Sequence, residues 1–195
     1  MTQFEMSSAR KAMIDSQLRT SGVNEDFVLA RMGSVAREDF VPEAAKSIAY
    51  MDRAIPLGEG RFLASPLVHG KMLSEAMPKI DDRALVIENG SNYLSELLRP
   101  LVGSLDTASA DQAAAKSSKR KTYSLIIVDG AAEELPETLT KQLEEDGRIV
   151  TGIVTRGVTR LAIGRKVGGA VSLQTLAEIG IPVLHQFAKK KEWSF

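Results

Sequence analysis

The strongest constraint on the fold is one continuous apolar run, YSLIIVDGAA, at Tyr123–Ala132. A strand that faces water on one side alternates apolar and polar residues. This run does not alternate, so both of its faces must be covered. Stretches with helical spacing come before and after it, which is typical of a parallel sheet between layers of helices. The run therefore predicts an α/β fold with a mostly parallel sheet.

The remaining strands are predicted on both sides of this run. Residues 84–87 and a weaker segment around Leu105 precede it as short strands. Residues 148–154 and 159–166 follow as an antiparallel hairpin that turns at Arg156 and Gly157. One or two further strands are expected within residues 172–187. The sheet should therefore end in antiparallel strands.

Helices are predicted where apolar residues recur with helical spacing. They cover residues 7–20, 24–35, 66–77, 93–101, 110–118 and 134–147. Ser7 or Ser8 can cap the first helix, Gly22 stops it, Asn24 can cap the second, and Gly147 can stop the last. The whole chain, 1–195, is predicted to be one domain. It has an N-terminal helical and loop region (1–80) and a sheet core (81–195).

Composition excludes several functional classes. The 195 residues include 25 basic and 25 acidic side chains, so no net charge attracts nucleic acid or an anionic membrane. There is no cysteine, and the two histidines are far apart, so no metal site is expected. His69 is expected to be a surface or internally paired histidine rather than a catalytic base, and His185 a structural one. Without a signal-peptide pattern or a long apolar run, the sequence predicts a cytoplasmic protein.

Three segments carry a family resemblance. They are MIDSQLRTSGVNEDFVLARMGSVAREDFVP at 13–42, AYMDRAIPLGEG at 49–60 and LIIVDGAAEELPETLTKQLEEDGRIV at 125–150. Together, in this order, they resemble the protein-L-isoaspartate O-methyltransferase family over most of the chain. The resemblance implies a Rossmann-like methyltransferase sheet with an N-terminal helical extension. It also implies S-adenosylmethionine as the cofactor and an isoaspartyl protein or peptide as the substrate.

The resemblance places the cofactor loop at residues 88–93, which read ENGSNY. This loop has one glycine and is two residues shorter than the loop of the family. Glycine lets the backbone turn sharply and approach a ligand closely, and asparagine tolerates a left-handed conformation. Glu88, Gly90 and Asn92 are therefore candidate cofactor residues. The shortened loop is expected to intrude on the space of the methionine part of the cofactor.

Three acidic residues are further candidates for the cofactor site. The resemblance implies a carboxylate that binds the ribose hydroxyls, and either Asp106 or Asp111 can fill this place. A solvated position near a helix start is an equally good interpretation of both. Asp129 ends the long apolar strand, where ligands bind in open α/β sheets. An ordinary Asp-Gly turn explains Asp129 equally well.

The resemblance places the substrate loop at residues 60–66, which read GRFLASP. Phe62 and Ala64 stand where the family carries hydroxyl side chains. Ser65 comes one place late and would point away from the site in an extended loop. Arg61 can supply a forked donor, although a solvated loop position is its more ordinary role. We therefore treat Arg61, Phe62, Ala64 and Ser65 as a degenerate loop without an assigned catalytic residue.

The spacing of the middle segment predicts a narrower sheet than the resemblance implies. About 30 residues separate Tyr93 from Tyr123, which leaves room for one strand and one helix after residue 101. One edge strand is thus predicted to be missing, and the strand at Leu105 becomes an exposed edge. Either residues 110–121 cover this edge or a homodimer forms there.

Three functions remain open on the sequence. The first is isoaspartyl repair, and the second is another methyl transfer that depends on S-adenosylmethionine. The third is a non-catalytic binding or scaffold role, as a pseudoenzyme that has kept the fold and lost the cofactor.

Overall fold

The structure is a computed structural model that describes residues 2–115 and 121–189. Its strands are β1 (Ile55–Gly58), β2 (Arg61–Leu63), β3 (Arg83–Glu88), β4 (Ser104–Ser109), β5 (Tyr123–Ala132), β6 (Leu143–Thr155), β7 (Val158–Val167) and β8 (Ala170–Glu178). Its α-helices are α1 (Gln3–Met13), α2 (Asp26–Ser34), α3 (Pro66–Ala76), α4 (Tyr93–Leu98), α5 (Ala110–Ala114) and α6 (Glu137–Thr140). A π-helical turn covers Ile14–Leu18. Short 3-10 helices cover Arg19–Ser21, Arg37–Phe40, Glu43–Ile48, Arg99–Leu101 and His185–Phe187.

Six strands form the main sheet in the order β4-β3-β5-β6-β7-β8. The first four are parallel to their neighbours, and β7 and β8 are antiparallel. Every residue of β5 except Ser124 is buried, as expected for the long apolar run. The turn at Arg156 and Gly157 joins β6 to β7, with left-handed backbone at both residues. The predicted Rossmann-like sheet with antiparallel C-terminal strands is therefore confirmed.

Helices cover both faces of the sheet. α3 and α4 pack with the N-terminal helices on one face, in a core that includes Leu73, Leu94 and Ile127. α5 and α6 lie on the other face with Leu184 and Phe187. This arrangement brings the start of α4 and the middle of α3 to the carboxyl ends of β3 and β5. None of the described helices has the length and apolarity needed to cross a membrane.

β4 forms an outer edge of the sheet. Its residues are exposed or half-buried, and among the described residues β3 is the strand with which it pairs. This agrees with the predicted exposed edge at Leu105. α5 packs against the face of the sheet through Ala110 and Ala113. Residues 116–120 of the expected cover lie outside the described residues, and the homodimer remains a prediction.

The predicted helix over residues 134–147 is wrong over most of its length. Helix remains at Glu137–Thr140, and β6 already begins at Leu143. The pairing of β5 with β6 passes through a bulge before Arg148, in which Asp146 is left-handed with φ of 60°. Strand pairing and burial of Leu143 outweigh the helical preference of the segment. Gly147 therefore lies inside β6 and does not stop a helix.

Two predicted helix starts also need correction. α1 begins at Gln3 because Thr2 and Glu5 form a reciprocal capping box, so neither Ser7 nor Ser8 caps it. Gly22 does end this region, with φ of 77°. α2 follows Glu25 rather than an Asn24 cap, because the Glu25 carbonyl accepts the first helical hydrogen bonds.

The predicted helix over residues 110–118 is shorter than expected. α5 ends at Ala114, and Ala115 is extended. The alanines that follow the capping box at Ser109 offer little apolar surface to hold further turns. Residues 116–118 lie outside the part of the chain that the structure describes.

Residues 55–63, which include part of the predicted substrate loop, form a hairpin. β1 and β2 pair antiparallel, and the tip at Gly58, Glu59 and Gly60 has positive φ throughout. Leu63 and Ala64 are buried, so the end of the hairpin is fixed in the core. This hairpin carries the predicted substrate loop to the glycine loop after β3.

Candidate active site

A cleft with a volume of about 510 Å³ lies at the carboxyl ends of β3 and β4. Its walls come from residues 88–92, from residues 109–111 at the turn between β4 and α5, and from Arg61 and Gln186. Ligands of open α/β sheets bind at this edge, and typical ligand pockets have volumes of about 300–1,000 Å³. A larger cavity of about 940 Å³ beside α6 contains none of the predicted site residues.

The loop after β3 makes its turn at Gly90, which has φ of 88°. Asn92, considered for the left-handed position, has φ of −96° instead. The Ser91 hydroxyl accepts a hydrogen bond from the Tyr93 N–H at 3.1 Å, which fixes the start of α4. Asn89 is 5% exposed, and among the described residues its side-chain Nδ2 has no hydrogen-bond partner. The loop thus brings a buried amide donor to the cleft wall.

Glu88 stands at the inner wall of the cleft. Its Oε1 accepts a hydrogen bond from the Ser95 hydroxyl at 2.7 Å. Burial raises the pKa of Glu88 above its usual value, and the negative charge of Asp129 adds to this, while the Ser95 hydrogen bond opposes it. The carboxyl group is therefore positioned by α4 and is easier to protonate than an exposed glutamate.

The β1–β2 hairpin packs directly on this loop. The Phe62 N–H donates to the Asn89 carbonyl at 3.2 Å. A Cβ atom added to Gly90 would lie 2.7 Å from the Cβ of Arg61, so only glycine fits beneath that side chain. The Arg61 guanidinium forms an exposed ion pair with Glu59 at 2.6 Å. Arg61 thus covers the turn with its carbon chain, while its charged end pairs with Glu59.

The other positions of the predicted substrate loop turn inward. Ala64 is buried, and Phe62 is half-buried. Ser65 is also buried and caps α3, because its hydroxyl accepts from the Val68 N–H at 3.4 Å. No side-chain hydroxyl of residues 60–66 lines the cleft.

The structure separates the two candidates for a ribose carboxylate. Asp111 lines the cleft and accepts a hydrogen bond from the Gln186 side chain at 3.3 Å. Asp106 lies in the middle of β4, where it accepts a hydrogen bond from the Tyr123 hydroxyl at 2.7 Å and forms an ion pair with Lys121. Only Asp111 of this pair is therefore brought to the cleft.

Asp129 belongs to a buried polar cluster beneath the loop. His69 Nε2 lies 2.9 Å from Asp129 Oδ1, and both side chains are fully buried. Arg37 Nη1 lies 3.2 Å from His69 Nδ1. The guanidinium also donates to the carbonyl groups of Ala49, at 2.7 Å, and Ala64. Arg37, His69 and Asp129 thus form one continuous chain, and His69 is an internally paired histidine.

Arg37 is the member of this cluster that the sequence did not single out. It stands in the charged stretch REDF and is nevertheless 0% exposed. Its guanidinium lies 5.0 Å from the centre of the Tyr93 ring, a cation–π arrangement. Burial lowers the pKa of Arg37, yet arginine keeps its charge in proteins. The resemblance of the segment at 13–42 was the only signal in the sequence for a special role at this position.

The fold and the cleft define a Rossmann-like α/β protein with a ligand site at the ends of parallel strands. Comparison with known proteins refines this class. The model of the protein-L-isoaspartate(D-aspartate) O-methyltransferase (PCMT) family matches residues 8–114 and 116–185. The chain is 32% identical over 185 residues to a protein-L-isoaspartate O-methyltransferase of Aliivibrio salmonicida, an alignment that covers 82% of this chain and 88% of the relative. A relative with the same name from Methanoculleus marisnigri is 28% identical, with 95% and 96% covered.

A solved structure supports the fold. It is described as a protein-L-isoaspartate O-methyltransferase of Plasmodium falciparum in complex with S-adenosyl-L-homocysteine. It superposes with a TM-score of 0.74 at 19% identity, over 93% of this chain and 98% of that one. This chain belongs to the protein-L-isoaspartate O-methyltransferase family, a family of S-adenosylmethionine-dependent methyltransferases. The resemblance inferred from the three sequence segments is confirmed.

Proposed function

We propose that this protein binds S-adenosylmethionine in the cleft and transfers its methyl group to an acceptor other than an isoaspartyl carboxylate. The observation that carries the proposal is the cleft of about 510 Å³ at the ends of β3 and β4, beside a substrate loop without hydroxyl side chains in its wall. The cleft supports cofactor binding. The absence of hydroxyl side chains from the substrate loop argues against an isoaspartyl carboxylate as the methyl acceptor.

The residues of the cleft fit a nucleoside with an amino-acid tail. Asp111 can accept hydrogen bonds from ribose hydroxyls, and the buried Asn89 amide can donate to a polar atom of the ligand. The backbone at Gly90 permits a close approach. The cofactor would supply an activated methyl group, and the protein would hold the acceptor in line with it. Such a transfer depends mainly on positioning, so it needs no catalytic base among these residues.

The acceptor side does not fit a carboxylate. A buried carboxylate needs hydrogen-bond donors, because leaving it unpaired is costly. At the loop that should provide them, Phe62 and Ala64 have no donor side chain, and the Ser65 hydroxyl caps α3. Arg61 remains as a donor, but its guanidinium is paired with Glu59. We therefore expect little or no isoaspartyl repair.

Calorimetric titration with S-adenosylhomocysteine tests the cofactor part. We expect a dissociation constant in the micromolar range. Asn89→Ala and Asp111→Asn should each weaken binding about tenfold, because each removes a polar partner of the ligand. Asp81→Asn is the matched control, since Asp81 is exposed before β3, at the opposite end of the strands. Loss of binding in the control alone would contradict the proposed site.

A second candidate function is a non-catalytic binding or scaffold role. The contact between Arg61 and Gly90 favours it, because the side chain covers the turn that the family uses for its cofactor. Absence of heat and of a thermal shift at millimolar S-adenosylhomocysteine would support this alternative. An Arg61→Ala variant that then gains binding would identify the side chain as the obstacle.

A methyl-transfer assay on an isoaspartyl peptide tests the acceptor part. We expect no transfer above background with the wild-type protein under conditions where the cofactor binds. A turnover on the order of 1 per second, ordinary for an enzyme on its own substrate, would show that hydroxyl side chains are dispensable and would refute this half of the proposal.

A further inference from the structure

The hydrogen bonds of the buried cluster fix the protonation of His69. Arginine carries donors only, so the Nδ1 atom of His69, 3.2 Å from Arg37 Nη1, must accept. The imidazole is then neutral, with its proton on Nε2. This proton is donated to Asp129 Oδ1 at 2.9 Å. The hydrogen bond from His69 therefore fixes the orientation of the Asp129 carboxylate and occupies its Oδ1 atom.

The second carboxylate oxygen of Asp129 has no such partner. Oδ2 is buried, and no hydrogen bond reaches it from the residues that the structure describes. An unpaired buried oxygen of a carboxylate is costly, so it calls for a donor. The nearest fixed positive charge in the chain of hydrogen bonds is Arg37, on the far side of the imidazole. Oδ2 is thus left for one further hydrogen-bond donor.

Asp129 lies next to the wall of the cleft. Ile87 of β3 is in register with Val128 of β5, so Glu88 and Asp129 follow side by side on neighbouring parallel strands. Glu88 lines the cleft, and the charge of Asp129 contributes to the raised pKa of Glu88 after burial. The two carboxyl groups therefore adjoin, with Glu88 lining the cleft and Asp129 buried behind it. Two neighbouring negative charges attract cations and repel carboxylates.

We propose that Asp129 is a specificity-determining residue whose Oδ2 accepts a hydrogen bond from an ammonium group of a ligand bound in the cleft. This inference deepens the proposed function and rests on it for the identity of the nucleoside. The ammonium group has two candidate sources: the amino-acid part of the cofactor or an amine-bearing second substrate. In both cases the carboxylate of Asp129 selects a positively charged donor and disfavours a carboxylate ligand.

The variant Asp129→Asn tests this inference. It keeps the shape of the side chain, and its oxygen can still accept from His69, while its other end becomes a donor. The control is Asp81→Asn, which makes the same change of charge at an exposed position. Calorimetry compares S-adenosylhomocysteine with 5′-methylthioadenosine, which has the same nucleoside but no amino-acid part. In parallel, ¹⁵N NMR of the His69 ring follows titrations with methylammonium and with acetate.

If the cofactor supplies the ammonium group, wild-type protein and Asp81→Asn will prefer S-adenosylhomocysteine over 5′-methylthioadenosine. In Asp129→Asn this preference will fall at least about tenfold. If a second substrate supplies it, the preference will not change. In that case methylammonium will shift the His69 signals of the S-adenosylhomocysteine-loaded wild-type protein but not those of Asp129→Asn, which will respond to acetate instead.

The inference is overturned if the preference is unchanged and methylammonium leaves the wild-type His69 signals in place. It is equally overturned if acetate, rather than methylammonium, shifts them in the wild-type protein. The wild-type NMR titration decides even if Asp129→Asn does not fold. Absence of all nucleoside binding would refute the proposed cofactor, but the methylammonium titration of the unliganded protein would still test Asp129 by itself.

Discussion

Two buried aspartates at opposite ends of the sheet, Asp82 and Asp129, are bonded very differently. Asp82 precedes β3 at the amino ends of the parallel strands and is 3% exposed. Both of its oxygens receive hydrogen bonds, from Arg148 at 3.0 and 2.5 Å and from the Ser124 hydroxyl and the Lys79 N–H, each at 2.7 Å. Asp129, at the carboxyl ends, has one oxygen paired and the other free of partners among the described residues.

This difference separates a structural carboxylate from one available for binding. Arg148 also donates to the carbonyl groups of Ala76 and Met77, so it joins the end of α3 to Asp82 and β6. Every group in that arrangement is satisfied, and nothing is left for a ligand. At the carboxyl ends the cluster of Arg37, His69 and Asp129 is equally buried, but it ends in an unpaired oxygen. Buried polar groups of native proteins are nearly always paired, so the exception marks a candidate site.

The largest effect is expected for Arg37→Met. The change leaves Ala49 O, Ala64 O and His69 Nδ1 without a donor and removes the charge that offsets Asp129. Breaking a buried ionic arrangement in this way typically costs about 3–5 kcal/mol. Urea denaturation should show this loss of unfolding free energy. The exposed Arg19→Met is the control, and a cost below about 1 kcal/mol for Arg37→Met would show that the cluster is not a rigid unit.

Arg148→Met should cost less, about 2–4 kcal/mol, although the arginine makes more hydrogen bonds. The side chain of Arg148 is 15% exposed, so water can reach part of the vacated place. Asp82 would keep its bonds from Ser124 and Lys79. Cofactor binding, measured by calorimetry in the folded variant, should stay within about twofold of wild type because the amino ends of the strands carry no ligand. A large change in cofactor affinity would contradict the proposal that ligands bind only at the carboxyl ends of the strands.

The glycine at the cleft can be compared with a glycine of the hairpin tip. Gly90 and Gly58 both have positive φ, at 88° and 93°. A Cβ atom at Gly58 would meet nothing within 4 Å, whereas at Gly90 it would lie 2.7 Å from Arg61. Gly58→Ala should therefore lower the free energy of unfolding by about 1 kcal/mol, from backbone strain alone. Gly90→Ala should lower it by about 2–3 kcal/mol, because the added Cβ also collides with Arg61. Thermal unfolding measures both, and equal costs would show that the hairpin does not press on the loop.

Much of the fold was predictable because it follows from local patterns. The run at Tyr123–Ala132 required a sheet covered on both faces, and Arg156-Gly157 marked the hairpin of β6 and β7. The start of β6 was misassigned because its helical spacing competes with strand pairing, which depends on the preceding strand β5 and not on the segment itself. Local signals predict elements well when no distant partner competes for them.

The site was less predictable, for a related reason. Arg37 stands in a charged stretch that resembles a solvated surface, and it is buried only because α3 and the 3-10 helices close around it. Asp129, at the other end of the same cluster, lies 92 positions further along the chain, as the two residue numbers give. The position of Asp129 at a strand end indicated a site, but the unpaired oxygen depends on which side of the carboxylate His69 occupies. Such a feature arises from packing and has no signature in one sequence.

The smallest effect concerns the pH dependence of stability, which should have opposite signs at the two ends of the sheet. Burial by itself would raise the pKa of Asp82, but the hydrogen bonds from Arg148, Ser124 and Lys79 outweigh it and lower the pKa below its usual 3.8. Asp82 therefore stabilises the fold above pH 3.8 and loses this contribution as the pH falls through its folded pKa. Glu88 has a raised pKa, mainly from burial, so the folded state binds its proton more tightly than the unfolded state does. The contribution of Glu88 to the free energy of unfolding therefore grows as the pH falls from neutrality toward 4.5, the ordinary pKa of a glutamate.

Glu88→Gln should therefore remove a gain in unfolding free energy on the order of a few tenths of a kcal/mol between pH 7 and pH 4.5, since solvent in the cleft screens the charge. The loss of stability below pH 3.8 should persist in this variant and should be reduced in Asp82→Asn. Urea titrations at half-unit steps of pH resolve the two ranges. A Glu88→Gln protein that instead loses stability less steeply than the wild-type protein on acidification would mean that Glu88 is stabilised as a carboxylate.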